Sequence, residues 1–224
     1  MSRGPRLVLL GKQGAGKGTQ AARLAEYFNV EHLSTGELFR AAKKQGTPFG
    51  LEAAAYMDRG ELVPDDIVVG VVAERIGAGR FDVELGFVMD GFPRTLSQAE
   101  DFDRILGDHT VDVAVNLEVP TDIVLDRIAG RRVCDNCGTN YHVAFPPKVD
   151  WKCDVCGGAV IQRADDTEAA VLRRLELYEK ETRPILSFYG QRDLLAVIDG
   201  VGDSDEVFMR SVRAIEARSP FDFA

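Results

Sequence analysis

Cysteine is scarce in this 224-residue chain: there are four, all between residues 134 and 156. Histidine numbers three and tryptophan one. Four clustered cysteines do not make a disulfide framework for a chain of this length, and they suit a reducing compartment. No run of about 18 apolar residues occurs, so no membrane-spanning helix is expected. The N-terminal Met1-Ser2-Arg3-Gly4-Pro5-Arg6-Leu7-Val8-Leu9-Leu10-Gly11 enters an apolar stretch too short for a secretory segment, and a cytoplasmic address follows as the expectation. Positive charge is also in deficit, with 27 Lys plus Arg against 36 Asp plus Glu and a net charge of −9. A general nucleic-acid binder needs the opposite balance. Repeats and low-complexity tracts are missing, and 45% hydrophobic with 28% charged residues excludes disorder, collagen and coiled coil.

The cations present are unevenly made, 20 Arg to 7 Lys. Genome composition explains such a bias, and so does a site that grips phosphates with bidentate guanidinium groups. Composition does not choose between them.

Apolar runs bounded by glycine or charge predict strands at Leu7–Leu10, Phe87–Met89, Val111–Val119 and Leu194–Ile198, with a weaker fifth near Val30–Leu33. Helix-length amphipathic stretches lie between them, at about 18–28, 66–76, 96–106, 121–129, 168–189 and 204–217. Strands alternating with helices predict an α/β fold with a central parallel five-stranded sheet flanked by helices. Two segments interrupt the alternation. Residues 34–63 carry two helical patterns, Gly36–Lys44 and Phe49–Asp58, around Gly46-Thr47-Pro48, and read as a small helical insertion. Residues 131–167 hold all four cysteines, Pro146-Pro147 and Trp151, and are too few to bury a core of their own. The core domain is then 1–33, 64–130 and 168–224.

The first strand runs into Gly11-Lys12-Gln13-Gly14-Ala15-Gly16-Lys17-Gly18-Thr19 and then a helix. Glycines let successive backbone N–H groups point at a phosphate, the helix N-terminus adds partial positive charge, and Lys17 reaches the outer phosphates. A phosphate-binding P-loop follows. Gly18 stands where most such loops carry a Mg²⁺-binding hydroxyl, with Thr19 one place later.

Cys134-Asp135-Asn136-Cys137 and Cys153-Asp154-Val155-Cys156 are two C-x₂-C pairs with 15 residues between them. Each pair sets two thiolates on one turn, and two turns close a tetrahedron around Zn²⁺. Iron suits the same four ligands. Four thiolates leave no open position for water, so the metal's role is structural. His142, beside Tyr141, reads as a hydrogen-bonding residue, and His32 and His109 as ordinary packing or surface residues.

Gly11-x-x-Gly14-x-Gly16-Lys17-Gly18-Thr19-Gln20, Ser34-Thr35-Gly36, Asp90-Gly91-Phe92-Pro93-Arg94-Thr95, Asp126-Arg127-Ile128-x-Gly130-Arg131-Arg132, Arg163-Ala164-Asp165-Asp166 and Asp199-Gly200 together resemble the adenylate kinases, in order along nearly the whole chain. The likeness is to the long bacterial form with a zinc-bearing lid, and it implies a P-loop kinase fold. It implies an AMP-binding insertion at 34–63 and a lid at 131–167. It implies that Thr35, Arg40, Glu61, Leu62, Val63, Gly91, Arg94 and Gln98 bind AMP, Gln98 pairing with the adenine edge. Gly14 to Thr19, Arg127, Arg131 and Gly202 would bind ATP, with Arg127 stacked on its adenine. Lys17, Arg94, Arg131, Arg163 and Arg174 would be catalytic, Arg163 and Arg174 also contacting AMP. Asp90 would hold Mg²⁺ through water, and Asp165 and Asp166 would orient the arginines. Arg127 and Arg131, four apart, are expected on one helix face. Lys12 and Gln13 depart from the family's usual small residues or proline, and Lys12 is expected to face solvent. The implied reaction is MgATP + AMP ⇌ 2 ADP, catalysed by a monomer that binds neither nucleic acid nor membrane. Its rivals are a kinase using GTP or accepting UMP or CMP, and a zinc-ribbon nucleotide switch on nucleic acid. The second is weakened by the acidic character of residues 133–160.

Overall fold

The computed structural model describes residues 3–77, 82–163 and 165–218. Its elements run β1 (Arg6–Leu10), α1 (Lys17–Phe28), β2 (Glu31–Ser34), α2 (Thr35–Lys44), α3 (Pro48–Asp58), α4 (Asp65–Gly77), β3 (Phe87–Asp90), α5 (Leu96–Leu106), β4 (Val113–Glu118), α6 (Thr121–Ala129), β5 (Arg131–Cys134), β6 (Asn140–His142), β7 (Val160–Ile161), α7 (Glu168–Leu177), α8 (Arg183–Gly190), β8 (Leu195–Asp199) and α9 (Ser204–Glu216).

The main sheet has the order β2-β3-β1-β4-β8, and every pairing in it is parallel. The side-chain period of two sends alternate residues of β1 to opposite faces. Leu7 and Leu9 join Leu24, Val115 and Ile215 on one side, while Val8 and Leu10 join Phe87, Phe102 and Tyr189 on the other. Both faces are buried, which is why the strands read as continuous apolar runs. Each such side chain contributes about 1.5–3 kcal/mol of burial.

Local chemistry sets the helix starts. Thr95 accepts from the Gln98 backbone N–H at 3.2 Å and Thr167 from that of Ala170 at 3.3 Å, each capping a helix. Thr47 does the same for α3, with Pro48 at its first turn. The single helix expected over 168–189 is divided. A π-helical turn, Tyr178–Thr182, separates α7 from α8. Pro184, in the first turn of α8, has no N–H to give the preceding turn and its ring crowds the carbonyl four residues back. Residues 34–63 hold α2 and α3. The cysteine-bearing segment forms a separate antiparallel sheet, β6-β5-β7.

Candidate nucleotide site

The C-terminal ends of β1, β2 and β3 open onto a cleft of about 330 Å³. Ligand sites of open parallel sheets lie at this edge. Gly11, Gly14 and Gly16 all have positive φ. At Gly14 a side chain is excluded twice, since a Cβ would also lie 2.7 Å from Ile128 Cγ1. Lys17 starts α1, and its Nζ donates to the carbonyls of Gly11 and Lys12 at 2.7 and 2.8 Å. Those bonds fold the ammonium back along its own loop. Desolvation lowers its pKa from 10.5 to about 8, with Asp90 opposing the shift and Arg94 and Arg131 adding to it.

Asp90 ends β3 beside Ser34 of β2, and its Oδ2 lies 3.4 Å from where a Gly18 Cβ would be. The missing side chain at Gly18 keeps the space between loop and carboxylate clear. Thr35 and Arg94 meet at Gly91, where a Cβ would lie 2.9 Å from Thr35 Oγ1 and 3.2 Å from an Arg94 amino nitrogen. The Arg94 Nε donates to the Gly91 carbonyl at 2.8 Å. Arg40 folds back over Gly36 at the start of α2.

The other arginines enter from the opposite side. Arg127 donates to the carbonyls of Ala15 and Gly200, at 3.4 and 3.0 Å, tying α6 to the phosphate loop and the end of β8. Arg131 forms a two-pronged pair with Asp166, one prong at 2.8 Å. Arg174 donates to Asp165 Oδ2 and to the Met57 carbonyl, both at 2.7 Å. Arg163 reaches Asn140 Oδ1 at 3.4 Å, and its buried Nε has no partner among the described residues. Desolvation first, then repulsion from Arg40 and Arg131, lowers the Arg163 pKa to about 10. Burial also lowers Arg94 and Arg40. Seven cationic side chains line the cleft against the four carboxylates of Glu37, Glu61, Asp90 and Asp165. Such crowding has one chemical meaning: the site is built to be completed by a polyanion.

Most of the expected residues meet here, and a few expectations change. Arg127 and Arg131 do not share a helix face. The helix α6 ends at Ala129 and Arg131 opens β5, where it pairs with His142; a side chain at Gly130 would lie 2.0 Å from the His142 Nε2. The hydrogen-bonding role of His142 holds, its Nδ1 accepting from the Ala144 N–H at 3.1 Å. Lys12 does not face open solvent; its Nζ donates to Thr121 Oγ1 at 2.8 Å and lies 3.7 Å from Glu179. Gln13 donates to Asp166 Oδ1 at 3.2 Å, joining the loop to the arginine-orienting carboxylate. Ala15 is buried and meets the cleft only through its neighbours. Gly202 stands outside the cleft, in the turn before α9 near Glu206 and Arg210.

The four cysteine sulfurs lie within 4.8 Å of one another. Cys134 and Cys156 are 3.4 Å apart and Cys137 and Cys153 3.5 Å. Tetrahedral Zn–S bonds of about 2.3 Å place sulfurs roughly 3.8 Å apart, so the donor set fits a closed site. Gly138 and Gly157 take positive φ just after each knuckle. The Tyr141 hydroxyl donates to Cys153 Sγ at 3.4 Å and accepts from the Asp154 N–H at 2.8 Å, a support around the sulfur cage. None of the four cysteines lines the cleft; Arg131, Asn140, Tyr141, Arg163 and Asp165 of the same segment do.

Comparison with known proteins agrees with this geometry. The family model described as adenylate kinase matches residues 9–194. The chain belongs to the adenylate kinase family. The adenylate kinase of Bacillus subtilis strain 168 is 49% identical over 205 residues, 90% of this chain and 94% of its own length. That of Clostridium botulinum strain Loch Maree is 48% identical over 206 residues, covering 91% and 94%. That of Clostridium kluyveri is 44% identical over 215 residues, covering 95% and 98%.

Sequence reasoning about this adenylate kinase family member missed several cleft residues. Met57 contributes only a backbone carbonyl, which any residue type supplies. Tyr178, its hydroxyl 3.4 Å from Asn116 Oδ1, has its pKa pushed by burial to about 12. It looked like an ordinary amphipathic helix residue. Asp65, which does not itself line the cleft, bonds to both Thr95 and Gln98.

Proposed function

We propose that the chain transfers the γ-phosphoryl group of MgATP to AMP, reversibly, giving two ADP. The observation that carries this reading is the convergence of cations from five parts of the chain on one cleft. It has a phosphate loop at one end and a pocket of Thr35, Val63, Arg94 and Gln98 at the other. The acceptor phosphate is already anionic near neutral pH, so no general base is required, and the cleft offers no histidine. Catalysis rests on position and charge.

Lys17 turns from its loop carbonyls toward the β- and γ-phosphates. Arg94 holds the AMP phosphate, while Arg131, Arg163 and Arg174 spread over the oxygens of the transferring group. Asp165 and Asp166 keep Arg174 and Arg131 aimed. Mg²⁺, when bound, would neutralise polyphosphate charge, and Asp90 is the carboxylate placed to hold it through water. Arg127 carries the ATP adenine. The cysteine cage stiffens the lid with structural zinc or iron and takes no part in transfer.

The two insertions act as covers that exclude water, the competing nucleophile. Support comes from Lys44 of α2, which donates to the Asp135 carbonyl at 2.9 Å across the cleft mouth. In this reading the chain acts as a monomer. Four cysteines gathered as metal ligands and not paired as disulfides support a reducing, cytoplasmic setting. No helix among the described residues is long and apolar enough to cross a membrane. The test is ADP formation from ATP with AMP, UMP, CMP or GMP, with elemental analysis of the purified protein. AMP is expected to dominate, and absence of ADP from ATP plus AMP would overturn the proposal. Rapid ATP hydrolysis without AMP would overturn the water-excluding covers.

A further inference from the structure

Gln98 is 1% exposed yet lines the cleft, and its amide is held at both ends. The Arg94 backbone N–H donates to its Oε1 at 2.8 Å. Its Nε2 donates to Asp65 Oδ1 at 2.6 Å. A carboxylate can only accept and a backbone N–H can only donate, so these two partners dictate which end of the amide is oxygen. The carboxylate is fixed in turn. The Thr95 hydroxyl donates to Asp65 Oδ2 at 2.7 Å, and Thr95 Oγ1 caps α5 by accepting from the Gln98 N–H at 3.2 Å. Asp65, Thr95 and Gln98 therefore close a ring between the first turns of α4 and α5.

A primary amide has two N–H bonds and two acceptor lone pairs. The protein uses one of each, leaving one N–H and one lone pair for a ligand. Adenine offers its 6-amino N–H next to a ring-nitrogen acceptor, the reciprocal of that pair. A 6-oxo purine offers a carbonyl next to N1–H, the reverse polarity. A glutamine free to flip would serve either base. A pinned one meets the 6-oxo base with donor against donor and acceptor against acceptor, a mismatch that a buried site penalises heavily.

We propose that Asp65 is a positioning residue that sets base specificity, pinning the Gln98 amide so that the acceptor site takes 6-amino and refuses 6-oxo purine monophosphates. The inference rests on the reading of this pocket as the AMP site. It also explains why a carboxylate at the start of α4 is turned inward and not left to solvent.

Inosine monophosphate is the probe, because it matches AMP in size and differs only at position 6 and N1. Asp65→Ala and Asp65→Asn are compared with the unmodified protein, with either nucleotide as acceptor and total nucleoside diphosphate as readout. Asp65→Ala should reduce the ratio of kcat/KM for AMP over that for inosine monophosphate by about tenfold or more, the loss of one buried hydrogen bond to a charged group. The change should lie in KM for AMP, with KM for ATP held within about twofold. Asp65→Asn, whose Oδ1 still accepts from Nε2, should recover most of the ratio. A folded Asp65→Ala enzyme with its ratio unchanged would overturn the role of Asp65. Should that variant fail to fold, NMR of the unmodified protein decides. A pinned Gln98 shows one slowly exchanging, hydrogen-bonded side-chain N–H, and a freely averaging NH₂ pair overturns the proposal. A different result, no ADP from the unmodified protein with ATP and AMP, would strike the phosphotransferase reading itself.

Discussion

The phosphate-loop core and the cysteine module are held together by different physics. In the core, Leu7, Val8, Phe87 and Phe102 are fully buried, and two apolar clusters pack on the two faces of the sheet. In the module, the buried set is Cys134, Cys153 and Val160 with Tyr141 against them, while Phe145 is 78% exposed and Val155 73%. The core is stabilised by removing apolar surface from water. The module buries too little to do so and depends on its four sulfurs and the turns that converge them. In the proposed lid role, rigidity that is internal to the unit would let it move as a body without unfolding. The core cannot, because its rigidity is shared among strands that also position Lys17 and Asp90.

This contrast yields outcomes of graded size. The largest is Lys17→Met, which should lower kcat by about 10³-fold through loss of charge stabilisation, with little change in melting temperature. A comparable loss of stability there would show that the loop lysine belongs to the scaffold. Next come two substitutions meant to separate the regions. Phe102→Ala should cost about 3–5 kcal/mol and lower the midpoint of the whole chain in denaturant. Cys134→Ser should instead speed amide exchange through residues 131–163, lower the melting temperature, and reduce turnover far less than Lys17→Met does. If both variants gave one uniform loss of protection, the two regions would be a single cooperative unit.

A smaller effect concerns pH. Burial lowers the Lys17 pKa to about 8, so the free enzyme loses this cation as pH rises through that value. The kcat/KM for ATP should therefore fall on the alkaline side of about pH 8. Bound polyphosphate favours the ammonium form, so the same limb in kcat should lie at higher pH. A pH profile flat to 10 would contradict the shift. The smallest effect belongs to Lys44→Ala. Its partner Asp135 is 3.6 Å away and both are mostly exposed, so the loss should stay under about 1 kcal/mol and shrink with salt, as measured by AMP affinity at two ionic strengths.

Much of this molecule was legible before folding was considered. The strands of the main sheet appear as apolar runs because a parallel sheet is buried on both faces, leaving no polar alternation to confuse the signal. The phosphate loop shows itself because only glycine tolerates the backbone angles at Gly11, Gly14 and Gly16. The cysteine spacing needed only the reach of a thiolate turn. Other features were hidden for definite reasons. The break between α7 and α8 depends on how one proline perturbs a buried turn. The move of Arg131 from helix to strand depends on pairing with His142, 11 residues later in the chain.

By itself, the sequence determined which groups are available and the local geometry of each motif: a glycine loop before a helix, two thiolate turns, an excess of arginine. Only the tertiary structure decided what those groups do to one another. Seven cations share one cleft because strand ends and two insertions converge there, and their mutual repulsion defines the ligand's charge. The orientation of the Gln98 amide is likewise a property of three elements at once. Local patterns arise from covalent spacing and backbone sterics, whereas electrostatic fields and hydrogen-bond polarity depend on distances between residues far apart in the chain.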